Sequence, residues 1–190
     1  MSGTLDERLC ATLRGTPGLM RVLEVARELD LPDWWVVSGA VYQPVLNRLT
    51  GRAADYGIKD YDLVYYDAAD LSYEAEDVVI RRAAGALDAD LSPLVEVRNQ
   101  ARVHLWFEGK FGEPYTPLAS AKEALERFVS PMFAIAVRLG ADDALEICAP
   151  FGLEDLFALR LRPNPRRKTL GFAAAAAKVA ARWPEVRVET

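Results

Sequence analysis

Apolar side chains recur with helical spacing early in the chain. Leu19, Val22, Leu23, Ala26 and Leu29 make one stripe, which predicts a helix over residues 18–29 after a first helix at Leu5–Arg14. Leu31-Pro32-Asp33 ends it, because proline disfavours the helical conformation in the residue before it. The pattern then changes period. Residues 34–37, Trp-Trp-Val-Val, are bulky and strand-like, Ser38-Gly39 closes that strand, and residues 40–49 return to a helix with Pro44 inside it, where proline can kink a helix. Residues 60–66 predict a second strand. Ser72 can cap a helix whose buried face is Ala75, Val78, Val79, Ala83, Ala86 and Leu87, with Glu74, Glu76 and Asp77 favouring its dipole.

Further along, residues 94–107 read as strand-rich and 111–117 as a Gly/Pro loop. Ser120 to Glu123 has the spacing of a capping box. Residues 132–139 and 144–147 predict a hairpin across Gly140-Ala-Asp-Asp143, and residues 153–161 and 166–183 predict the last helices. No internal repeat or linker interrupts this order. The expectation is one α/β (α+β) domain over residues 1–190, a mixed sheet flanked by helices, with a core at about 18–165 and a C-terminal helix at 166–183.

Composition narrows the class. With 190 residues, 51% hydrophobic and 27% charged, the chain can bury a real core, and a net charge of −5 argues against a surface given over to nucleic acid. The first residues are acidic and lack an apolar leader core, and no stretch approaches a membrane span. Cys10, Cys148 and the lone His104 are too few and too scattered for a structural zinc site, and the default expectation is a cytoplasmic protein without membrane partners.

The chemistry concentrates in Lys59-Asp60-Tyr61-Asp62. On a strand, Asp60 and Asp62 point to the same side, about 7 Å apart along the chain. Two carboxylates so placed either end a solvated strand or share a hard cation, and Mg²⁺ (or Mn²⁺) takes one or two carboxylates together with substrate phosphates. Upstream, Val36-Val37-Ser38-Gly39-Ala40 runs a strand into a helix through small residues that let a phosphate approach backbone N–H groups. Downstream, Glu96 sits between Val95 and Val97.

That order resembles the DNA polymerase β-like nucleotidyltransferase superfamily. More narrowly, the chain resembles a family of small bacterial nucleotidyltransferase-like proteins formerly catalogued as a domain of unknown function. The segments that carry the likeness are Leu31-Pro-Asp-Trp-Trp-Val-Val-Ser-Gly39, Tyr56-Gly-Ile-Lys-Asp-Tyr-Asp62, Asp70-Leu-Ser-Tyr-Glu-Ala-Glu76, Val97-Arg-Asn-Gln-Ala-Arg-Val-His-Leu-Trp106, Ala149-Pro-Phe-Gly-Leu-Glu-Asp155 and Arg162-Pro-Asn-Pro165. The resemblance implies that Asp60, Asp62 and Glu96 are the catalytic carboxylates and metal ligands, and that Ser38 and Gly39 occupy the glycine motif. Its implied reaction is Mg²⁺-dependent transfer of a nucleoside monophosphate from an NTP to an acceptor, whether small molecule, protein or RNA. The alternative is a catalytically inactive nucleotide-binding or protein-interaction module on the same fold. Three features depart from the superfamily pattern: Ala40 follows Gly39, the gap to Asp60 is long, and the third acid is glutamate.

If residues 94–107 are one strand, Glu96, Arg98, Gln100, Arg102 and His104 share a face. Arg98 and Arg102 are then placed either to hold triphosphate oxygens, which arginine grips bidentately, or to balance the nearby acids. His104 is either a general base or a hydrogen-bonded structural residue. Trp34 and Trp35 read more simply as core than as a base platform. Arg160, Arg162, Arg166, Arg167 and Lys168 form a basic cluster, read as a solvated loop rather than as a polyanion site.

Overall fold

The computed structural model describes residues 3–167 and 170–190. Helices α1 (Leu5–Arg14) and α2 (Pro17–Leu29) open the chain. Thr4 and Glu7 close a reciprocal capping box on α1, and Pro17 starts α2 where its missing N–H costs nothing. Strand β1 (Trp35–Val37) passes through Ser38 into α3 (Gly39–Leu49), and then follow β2 (Tyr61–Tyr65), α4 (Tyr73–Ala86) and β3 (Val95–Asn99). Short α5 (Phe107–Phe111) precedes the hairpin of β4 (Ala136–Leu139) and β5 (Leu145–Cys148). The chain finishes with α6 (Glu154–Phe157), β6 (Arg160–Leu161), α7 (Phe172–Arg182) and β7 (Arg187–Val188).

The five-stranded sheet has the order β3-β2-β1-β4-β5, mixed in direction, with only β2 and β3 parallel. Its two faces are covered differently. Val36, Leu63, Val97 and Val137 point into the main core with α1 to α4. Trp35, Val37, Val64 and Ala136 point the other way, against Ala121 and Leu125 of a later segment. Both tryptophans of the Trp34-Trp35 pair are core residues.

Three predicted elements are corrected. The strand expected over 94–107 stops at Asn99, and residues 100–105 form a 3₁₀ helix. The cause is Asn99: its side-chain oxygen accepts the N–H of Ala101 at 3.1 Å, and its amide group bonds the backbone of Asp67 in both directions. A side chain that satisfies the next backbone donor replaces the strand ladder with a turn. The helix expected over 153–161 is one turn followed by β6, and that over 166–183 begins at Phe172. Only half of the Ser120–Glu123 capping box forms: Ser120 caps Glu123 N–H, while the Glu123 carboxylate accepts from Ala119 rather than Ser120.

The C-terminal helix is tied to the early part of the chain. Trp183 Nε1 donates to Asn47 Oδ1 at 2.9 Å, and Asn47 in turn donates to the carbonyls of Ala54 and Tyr56. Gly57, at φ +78°, lies so close to Arg182 that a Cβ would collide with its side chain, and it would press tightly on Trp183. No helix among the described residues is long and apolar enough to cross a membrane.

Candidate active site

Register builds the site. Val37 on β1 lies directly opposite Asp62 on β2, and Asp62 directly beside Glu96 on β3. Cross-strand partners share a face, so Asp62 and Glu96 form one row that begins next to the Ser38 turn. The sequence separation of 34 residues collapses to one strand spacing because β2 and β3 are parallel and in register at that row. Asp60 lies just before β2, exposed, on the approach to the same row.

The electrostatics follow. Burial, then the charges of Asp60 and Glu96, pushes the Asp62 carboxyl from 3.8 up to about 6, and Arg98 only partly offsets this. A carboxylate destabilised by two neighbouring carboxylates is the environment a hard cation relieves, and oxygen-only donors suit Mg²⁺. The three acids do not form a closed cage: among the described residues, no group of three or more His, Cys, Asp or Glu side chains is gathered tightly enough to hold an ion alone.

Ser38 is the strained residue of the site. At φ 60°, ψ −126°, it holds a conformation that glycine adopts freely and that costs a side chain about 1–3 kcal/mol. The surroundings enforce it: Ser38 N–H donates to Ile135 O, while its carbonyl accepts from Val41 and Tyr42 and starts α3. Its hydroxyl makes no capping bond. The first turn of α3, whose leading N–H groups have no intrahelical partner, therefore opens beside Asp62.

Three cavities include Ser38 in their lining, two of them with one of the three acids. The first, about 250 Å³, is lined by Ser38, Asp62 and Arg98, and then by Gln100, Phe107 and Tyr115 from the segment after β3. The second, about 320 Å³, is lined by Ser38, Asp60 and Lys59, with Gln43 from α3 and Lys178 and Arg182 from α7. Buried Gln43 leaves its Oε1 without a hydrogen-bond partner. Tyr42 lies below, its hydroxyl pushed up chiefly by burial. The lining from residues 100–128 and from α7 is invisible in the sequence, since it is set by how distant segments return to the sheet.

Arg98 and Arg102 separate. Arg98 stays on the carboxylate row, 3.4 Å from Glu96. Arg102 turns away with the 3₁₀ helix, ion-paired to buried Glu76 and donating to Leu71 O at 2.9 Å. The phosphate role expected for Arg102 is thereby corrected to an internal ion pair. His104 is carried off the row by the same turn, with Nδ1 buried and unpartnered. The basic cluster is neutralised: Arg160 and Arg162 share Asp155, Arg166 pairs with Glu126 and Arg167 with Glu113, while Lys168 lies outside the described residues.

Residues 24–188 match the model of a family described as nucleotidyltransferase. No curated protein matches the chain. Among solved structures, a protein described by NMR as a CCA-adding enzyme head domain superposes with a TM-score of 0.75 at 21% identity, covering 97% of this chain and 95% of that one. A CCA-adding enzyme in complex with CTP gives 0.55 at 18% identity; the match covers 97% of this chain but only 43% of the enzyme. An apo CCA-adding enzyme gives 0.51 at 19%, over 90% of this chain and 39% of that chain. At such identities the likeness is one of fold.

Proposed function

The chain belongs to this family of nucleotidyltransferases, and from that premise we propose that it transfers a nucleoside monophosphate from an NTP to an acceptor hydroxyl. The observation that carries the reading is the row Asp62–Glu96 beside the Ser38–Gly39 turn. It brings carboxylates and the open N-terminal turn of α3 to one place, where a triphosphate has both its cation ligands and its backbone donors.

Asp60, Asp62 and Glu96 are the residues that would hold Mg²⁺ or Mn²⁺. Bound there, the ion supplies neutralisation of phosphate charge and a lowered pKa for the acceptor hydroxyl. The chain's own contribution is positioning. Ser38, Gly39 and the first turn of α3 bind phosphate oxygens, and Arg98 adds a positive charge at the carboxylate row. The acceptor oxygen attacks the α-phosphorus in line, a new P–O bond forms, and the bond to the bridging oxygen breaks to release pyrophosphate. The acceptor's proton leaves to solvent or to Glu96, which is exposed at the edge of the row and serves as ligand or base.

Incubation of the protein with labelled NTPs, Mg²⁺ and a cell extract tests this. The expected result is a labelled acceptor with wild type and none with Asp62→Asn. Tight nucleotide binding without label transfer to any molecule would favour the non-catalytic module.

A further inference from the structure

Three cavities include Ser38 in their lining, and they differ in chemistry. The second sets Lys59, Asp60, Lys178 and Arg182 among Tyr42, Phe133 and Trp183. The first is walled by rings. Phe107 lies 4.4 Å from Tyr115 and 4.7 Å from Phe111 between ring centroids, and Trp106 flanks it at 6.1 Å. Phe111, 49% exposed, lines a third cavity of about 440 Å³ that includes Ser38, Phe107 and Phe133 but none of Asp60, Asp62 and Glu96. Only a few polar groups turn toward the first cavity, notably Gln100, 8% exposed, and Arg127, which stacks on Tyr115.

We propose that the cavity between the sheet and residues 100–128 is the nucleobase site, in which the base of the NTP stacks on the Phe107–Tyr115 ring pair. The proposal rests on the nucleotidyltransferase reading above. Phosphates held at the Ser38 turn, with a cation on Asp62, leave a nucleoside three directions, and of these three cavities the first is the one whose lining includes Asp62. The second cavity mixes its rings with the charges of Lys59, Asp60, Lys178 and Arg182, which an uncharged base does not need, whereas the first sets π faces, to which every base has a complement, beside Asp62 and Gln100. At about 250 Å³ it suits a flat heteroaromatic ring rather than a large acceptor. Stacking is tolerant of base identity, so discrimination falls to Gln100, whose amide can pair with a base edge, and to Arg127. Burial pushes the Tyr115 hydroxyl up to about 12, so it stays a neutral donor at working pH.

The test titrates the full chain, in Mg²⁺, with each of the four NTPs and with inorganic tripolyphosphate. The expected result is NTP binding at least tenfold tighter than tripolyphosphate, with Phe107→Ala removing that advantage and leaving tripolyphosphate affinity unchanged. Independently of any variant's folding, NTPs should quench the emission of partly exposed Trp106 where tripolyphosphate does not, and Trp106→Phe should abolish the quench. Equal affinity of wild type for NTP and tripolyphosphate, or an undiminished NTP advantage in folded Phe107→Ala, overturns the base site and leaves the phosphate site standing. If neither ligand binds, the nucleotidyltransferase reading fails and the base site with it.

Discussion

Two Glu–Arg pairs, one on β3 and one joining α4 to the turn after that strand, do opposite jobs. Glu96 and Arg98, on the strand, touch at 3.4 Å with their side chains 55% and 46% exposed. Glu76 and Arg102, where the chain leaves the strand, are 7% and 11% exposed, and Glu76 also accepts the backbone N–H of Asn99 at 2.8 Å. An exposed pair is worth at most about 1 kcal/mol, and either partner can turn to a ligand at small cost. A buried pair is committed, because each charge is desolvated and stable only with the other. The same residue types are thus a resource at the site and a fixture beneath it, and Asn99 marks the border.

Cutting the fixture should have the largest effect. Glu76→Ala leaves Arg102 buried without its partner and should cost about 3–5 kcal/mol of stability in denaturant unfolding, whereas Glu96→Ala should shift it by about 1 kcal/mol or less. Equal losses would erase the distinction. Function should reverse the ranking. Glu96→Gln should fold normally yet lower turnover at least about a hundredfold, some 2.7 kcal/mol, once an acceptor is in hand.

A third experiment sharpens the contrast at Asp62, which has like charges where Glu76 has an arginine. The folded Asp62 carboxyl keeps its proton up to about pH 6, while the unfolded one loses it near 3.8. The folded state therefore binds more protons between those values, and metal-free stability should fall as pH rises through that window. The shift corresponds to an upper bound of about 3 kcal/mol, reduced to about 1–2 by solvent screening at a half-buried site. Asp62→Asn, in EDTA at neutral pH, should gain that amount and flatten the pH profile between about 4 and 6. A clear loss of melting temperature would instead make Asp62 a structural anchor like Glu76. The smallest change is Ser38→Gly, which removes side-chain strain at φ 60° and should gain about 1 kcal/mol in the same assay.

The order of elements was legible in the chain because periodicity, caps and prolines are local. The α1, α2, α3 and α4 helices, the β1 and β2 strands and the β4–β5 hairpin all lie close to where the apolar pattern puts them. The Asp-x-Asp segment and the small-residue turn before α3 were legible for the same reason, since residue type and spacing carry their chemistry. The resemblance carried by those motifs reached the family. Alternation misleads past Asn99: a period of two looks the same whether or not a side-chain amide ends the ladder, so it puts Arg102 and His104 on a face they do not share.

What the sequence determined by itself was therefore which groups could do chemistry and which local shape each would take. Which of them meet was decided by tertiary structure. The parallel register of β2 on β3 sets Glu96 beside Asp62, the return of residues 100–128 over one face of the sheet lines a cavity with rings, and the docking of α7 on Asn47 and Gly57 brings Lys178 and Arg182 to the other side of Ser38. Those contacts join residues far apart in the chain, and their placement depends on how whole faces bury one another rather than on any local pattern.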